Sequence, residues 1–290
     1  MSGFQKATRR AQKLKIAVQG PSGSGKTWGA LALAKGLAQG GKVALVDSEN
    51  GSASLYADRF DFDAQDITPP YLTKKYVEQV KEAVEGGYKV CVLDTISHQW
   101  DGTGGILQRK EATDARGGNH FSNWEPFTKE HNEFRALLLH APIHIIATMR
   151  SKMAYSQEKN GEKSSIKKLG LQPIQRDGME YEFTVAFDVQ MDHRATASKD
   201  RTGLFGTDLL DLSDASAVAG RMLEWLESAA PDLGPLMIGK EFKGVPLSSP
   251  ILPTEKIVAA IAEVKDKPKY TAWVDQATNE LERRREAVGA

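Results

Sequence analysis

The chain has 290 residues, 40% of them apolar, and its 38 Lys and Arg balance 38 Asp and Glu. Such a chain can build one or two cored domains and is not disordered throughout. Its single cysteine, Cys91, excludes an intrachain disulfide framework and a cysteine-rich zinc site. No run approaches the ~20 apolar residues that span a bilayer, and the first residues lack the apolar core of a secretory signal. The expectation is a cytoplasmic protein without a membrane partner, although an Arg-rich, acid-poor start is also compatible with a transit peptide.

In chain order, a basic arm (1–13) opens the sequence, and Lys6, Arg9, Arg10, Lys13 and Lys15 meet no acid before residue 16. Short runs rich in Val, Ile and Leu then alternate with helical patterns: LKIAVQ (14–19), a helix from Lys26 to about Gln39, KVALVD (42–47), a helix near 73–85 and KVCVLD (89–94). Continuous apolar runs of this length suit strands covered on both faces, so a mostly parallel sheet flanked by helices is predicted. The helix near 73–85 sets Val77, Val80 and Val84 on one stripe and ends at Gly86-Gly87. A further helix (about 123–140) leads into the strand PIHIIAT (142–148). FTVAFDVQM (183–191), a hairpin across ASKDRTGLF (197–205) and a helix from about 215 to 228 complete an α/β core spanning 14–228. A Pro-, Gly- and Ser-rich linker (229–253) follows. Thr254 is placed to cap the first of two amphipathic segments, carrying Ile257, Ile261 and Val264 and then Tyr270, Trp273, Ala277 and Leu281, in a small helical tail (254–290).

The neutral total hides separated patches. Residues 150–176 hold Arg150, Lys152, Lys159, Lys163, Lys167, Lys168 and Arg176 against Glu158 and Glu162, a surplus of five. Asp47, Glu49, Asp58, Asp61, Asp63 and Asp66 form an acidic stretch broken by Arg59.

Gly20-Pro21-Ser22-Gly23-Ser24-Gly25-Lys26-Thr27 matches the phosphate-binding loop G-x-x-x-x-G-K-[ST], after a predicted strand and opening a helix. Its glycines let successive N–H groups turn inward toward phosphate oxygens, and the helix N-terminus adds its positive dipole end. Lys26 would reach the β- and γ-phosphates of ATP and Thr27 would ligate magnesium. A chance match in a chain this long is on the order of one in a hundred, so a plain Gly-rich turn is set aside. Asp94 closes the run Val90-Cys91-Val92-Leu93; alone it would read as a strand-end cap, but beside the loop it reads as the acid that holds magnesium through water. Glu49 lies 23 residues after Lys26, just past the next strand, and by spacing alone Asp47 is an equally placed carboxylate.

The order GPSGSGKT, VDSE, VCVLDT, IIATMRSK resembles the RecA-like branch of P-loop ATPases. That branch carries a glutamate at the end of the strand after the loop helix, so the resemblance implies that Glu49 polarises the attacking water. LGLQPIQRDGMEYEF (169–183), FDVQMDH and SKDRTG narrow the resemblance, over about 14–228, to AAA-type ATP-binding phage proteins that include single-strand annealing recombinases. It implies a RecA-like core, ATP and magnesium as cofactors, and ATP hydrolysis coupled to single-stranded DNA in recombination or replication. It further implies assembly as a homo-oligomeric ring or filament in a bacterial host, with a single-strand binding or other replication protein as a further partner. Thr148 occupies the position of a glutamine that senses the γ-phosphate in RecA; threonine is shorter, and Arg150 could reach instead. The basic segment 150–176 sits where RecA carries a mobile DNA-binding loop. Lys199 and Arg201 are similar to paired cations inserted into a neighbour's site, or are an ordinary charged turn.

Between His98 and Phe127, glycines mix with Trp100, Phe121, Trp124 and Phe127 and with Arg109, Lys110 and Arg116. The aromatics read either as a base-stacking surface or, at helical spacing, as core. His98, His120 and His131 lack metal-ligand spacing and read as surface or hydrogen-bonded residues. Two other functions share the loop: a nucleotide or small-molecule kinase, with 150–176 as its lid, and a partition-type switch ATPase, against which Pro21 and Ser22 stand where those carry an extra lysine.

Overall fold

A computed structural model describes residues 12–160, 163–228, 252–266 and 270–288. Residues 1–11 of the basic arm and 229–251 of the linker lie outside the described residues. The chain divides into two compact units, one of them Lys13–Leu223 and the other containing the C-terminal helices.

In the larger unit the apolar runs become strands β1 (Lys15–Gly20), β2 (Val43–Asp47), β4 (Val90–Asp94), β5 (His144–Asn160) and β7 (Val185–Val189). All residues of β1 and β4 are buried, as burial on both faces requires. A short strand β3 (Asp63–Asp66) flanks β2, and β8 (Arg194–Asp200) and β9 (Leu210–Asp211) extend the other side in the order β3-β2-β4-β5-β1-β7-β8-β9. Pairing is parallel from β3 to β7 and antiparallel beyond it. β5 lies between β1 and β4, and the register aligns Thr148 with Val18 and Asp47 with Asp94. The carboxyl ends of β1, β5, β4 and β2 therefore form one row, the rim at which open α/β sheets hold ligands.

Helix α1 (Lys26–Ala38) packs on β1, β4 and β5, and Gly36 admits helix α6 (Ser216–Ser228) so closely that a Cβ there would lie 2.5 Å from the Ala219 Cβ. A core on the sheet is built from Tyr76, Val80 and Ala83 of α2 (Thr73–Glu85) and from Phe134 and Leu138 of α5 (Glu125–His140), against Leu93, Ile145 and Ala147. Short helices α3 (Ser97–Asp101) and α4 (Ile106–Asp114) occupy the segment where the sequence indicated only glycines and aromatics.

Two expectations change. The strand predicted over 142–148 runs on to Asn160 and pairs antiparallel with β6 (Lys163–Pro173), so the basic segment is a long hairpin continuing a sheet strand. Residues 197–205 are not a hairpin of their own. They form the end of β8 and a turn in which the Asp200 carboxylate accepts from the backbone N–H groups of Thr202, Gly203 and Phe205. Lys15, counted above with the cations that precede any acid, is buried in β1: its Nζ donates to the carbonyls of Ala141 (2.7 Å) and Ile143 (2.8 Å), and burial lowers its pKa to about 8.

In the smaller unit α7 (Thr254–Val264) and α8 (Thr271–Val288) share a core of Ile257, Ala260, Val264, Trp273, Ala277 and Leu281. Pro253, in extended conformation, is the N-cap of α7, and Thr254 is the first helical residue rather than the cap. Among the described residues no helix is long and apolar enough to cross a membrane.

Candidate active site

The loop Gly20–Thr27 joins β1 to α1 at the carboxyl rim. Gly23 and Gly25 adopt φ of 80° and 87°, which side chains rarely tolerate, and a Cβ on Gly20 would lie 2.5 Å from the Val189 carbonyl oxygen. The Lys26 Nζ folds back to donate to the Pro21 carbonyl at 2.8 Å. Burial lowers its pKa, while Glu49 and Asp94 work the other way. Ser24 Oγ is buried without a hydrogen-bond partner among the described residues, and Pro21 and Ser22 complete the turn.

Two hydroxyls converge on Asp94. Thr27 Oγ1 donates to Oδ2 at 2.6 Å and Thr148 Oγ1 donates to Oδ1. Burial pushes the Asp94 pKa up to about 6, against the pull of both hydroxyls. The fit of the residues to a magnesium nucleotide rests on this structure: the left-handed glycines, the unpartnered Ser24 hydroxyl and a hydroxyl–carboxylate pair of hard oxygens. Thr27 and Asp94 would hold the ion, and Thr148 is directed to Asp94 rather than toward the loop.

The two acids that spacing left equal are separated by their partners. Asp47 is buried, and its carboxylate accepts from the backbone N–H of Glu49 and, at 2.9 Å, from that of Ala53, so it shapes the turn after β2. Glu49 keeps its side chain at the rim, where its charge acts on Lys26, and Oε1 accepts from the Arg150 Nε at 2.9 Å. Arg150 is the last β5 residue in register with β1, opposite Gly20, and the hairpin ladder starts at Ser151. Its N–H donates to Ser97 Oγ (2.9 Å) and its carbonyl accepts from Ile174 N–H (2.6 Å), which fixes the hairpin root.

Lys199 and Arg201 are not brought to this loop. Lys199 pairs with Ala186, near the start of β7, whereas the loop adjoins Val189 at the end of β7. Both cations donate to the Tyr181 carbonyl, Arg201 at 2.6 Å. Lys152 is exposed on β5, while the side chains of Lys159, Lys163, Lys167 and Lys168 lie outside the described part.

Some residues of the site gave no sequence signal. A cleft of about 320 Å³ beside the loop is walled by Trp28, Tyr56, His193 and Leu212. Trp28 meets Tyr56 and Phe60 edge-on at 5.5 and 5.0 Å, and His193 Nδ1 lies 3.0 Å from the Ser24 carbonyl oxygen. These residues come from four separate segments, and only the β1–β7 register brings His193 to the loop. Behind Glu49, Ser48 Oγ contacts His98 Nδ1 at 3.0 Å and donates to the Thr95 carbonyl at 3.0 Å. Burial lowers the His98 pKa. His131 is buried, so it is not a surface histidine, and its Nδ1 has no hydrogen-bond partner among the described residues.

A family model described as "AAA domain" matches residues 12–221. The chain belongs to this AAA-domain family. It is thereby a P-loop ATPase with a nucleotide as its ligand, and the matched span holds every residue of the rim just described. No curated protein matches the chain.

Proposed function

We propose that this AAA-domain protein is a RecA-like, magnesium-dependent ATPase whose turnover is coupled to single-stranded DNA, as a homo-oligomeric ring or filament serving phage recombination or replication. The observation that carries the coupling is the ion pair from Glu49 to Arg150, because it links a carboxylate whose charge acts on Lys26 to the root of the basic hairpin. In this reading the loop amides and Lys26 receive the phosphates, and the cleft at Trp28 and Tyr56 receives the base. Magnesium, which Thr27 and Asp94 would hold, would supply charge neutralisation on the phosphate oxygens. Glu49, once released from Arg150, accepts a proton from the attacking water. Lys199 and Arg201 would act in a neighbouring copy, since they are remote from their own loop.

The test is ATP turnover measured with and without single-stranded DNA at low salt. The wild type is expected to turn over ATP faster with DNA, and Lys26→Ala is expected to lose turnover in both conditions. Unchanged turnover in Lys26→Ala would remove the mechanism. Phosphate delivered to an added nucleoside or nucleotide instead of water would replace it with a kinase.

A further inference from the structure

A second cleft, of about 710 Å³, opens between the α3–α5 segment and the root of the hairpin. We propose that it is a stacking subsite for unpaired bases of a DNA strand whose phosphates follow the basic hairpin. The inference rests on the single-stranded DNA reading above and names where the bases would go.

The walls have the required chemistry. Phe121 stands at the cleft 83% exposed, its ring in a T-shaped contact with His120, centroids 5.9 Å apart. A single exposed aromatic needs no ligand to explain it, but at the mouth of this cleft the Phe121 ring offers a surface on which a base can stack. Trp124 lies deeper, stacked on Trp100 at 6.0 Å and 17°, with Lys110 Nζ 5.0 Å and the Arg176 guanidinium 5.9 Å from its ring centre. Lys110 is itself fixed by Asp114 and His120, so the indole is held before any ligand arrives and little rotamer freedom remains to be lost on binding.

The charges argue for bases rather than phosphates inside the cleft. Lys152 and Arg176 are matched there by Asp101 and Asp177, so the interior is not a polyanion site. Carboxylates repel phosphates but accept N–H bonds from base edges, and those edges and ring faces are free only on an unpaired strand. The phosphates fall to the hairpin, whose root pair, Lys152 opposite Gln172, lines this same cleft. Arg109, by contrast, is taken by a bidentate pair with Glu130 and is not available to a ligand.

The test is fluorescence anisotropy of labelled oligothymidylate with the full chain, magnesium and a non-hydrolysable ATP analogue. The same length of duplex and an abasic strand serve as comparisons. Phe121→Ala, at an exposed position, is expected to weaken the single strand by about five-fold to about a hundred-fold, with the salt slope unchanged. Phe121→Trp should restore binding, and the abasic strand should not distinguish wild type from Phe121→Ala. Lys152→Ala should instead lower the salt slope, by ~0.7 for each phosphate that is no longer neutralised. If the wild type binds the strand and Phe121→Ala binds it equally, or if the duplex competes as well as the strand, the subsite is refuted while the DNA reading stands. If the wild type binds no single strand at low salt, the DNA reading falls and takes the subsite with it.

Discussion

At the scale of single residues, Asp47 and Glu49 carry the same chemistry two positions apart and do different work. Glu49→Gln keeps the shape and removes the base, so ATP turnover should fall by about 10²- to 10⁴-fold while nucleotide affinity is retained. Asp47→Asn should leave less stable protein instead, because the carboxylate that accepts from two backbone N–H groups weakens as an acceptor; a thermal melt separates the two outcomes. Arg150→Ala tests the pair from the other side. With Glu49 released, basal turnover should rise and its stimulation by DNA should shrink, whereas an arginine that contacts phosphate would lower both. The loop and Asp94 were legible because a contiguous motif fixes them. The division between Asp47 and Glu49 was not, since it depends on which backbone amides the turn after β2 presents.

At the scale of elements, α1 is buried nearly all round, and Gly36 is where α6 crosses it. Gly36→Ala would gain helix propensity of ~1 kcal/mol. The added methyl group would lie 2.5 Å from the Ala219 Cβ, and overpacking of that kind costs about 1–3 kcal/mol. The melting temperature should therefore fall, most if α6 has no room to shift. The same physics decides which elements the sequence could announce. Buried parallel strands announce themselves by unbroken apolar runs, as β1 and β4 do. β3 does not: its four residues, Asp63 to Asp66, are all exposed, and only the open edge of β2 makes them a strand. The hairpin of β5 and β6 was hidden for a related reason, because a ladder that leaves the core needs no apolar pattern, and a Lys-rich stretch reads as a loop.

For the molecule as a whole, the balance of 38 cations against 38 acids keeps net repulsion small near neutral pH, where a few buried groups set the pH dependence of stability. His131 and His144 are both buried, and burial pushes each pKa down from 6.5 to about 4. Neighbouring cations add to the shift, Arg176 and Arg135 around His131, opposed by Glu130, and Lys13 and Lys15 around His144. The His144 Nδ1 accepts the Leu14 backbone N–H at 3.1 Å, a bond only the neutral ring can make. Below 6.5 the unfolded chain binds protons on these rings that the folded chain refuses until about 4, so stability falls as pH falls through that window. The slope is ~1.4 kcal/mol per pH unit for each ring fully engaged. Urea midpoints measured from neutral pH down toward pH 4 should record the decline. His131→Phe should flatten it, because phenylalanine fills a similar space without a titrating nitrogen and no hydrogen bond to Nδ1 is removed. Asp94 works against the decline in the same window, because with its pKa raised to about 6 the folded chain takes up a proton that the unfolded chain does not. The decisive comparison is therefore between variants, and a His131→Phe profile parallel to that of the wild type would show that the His131 ring is charged in the folded protein.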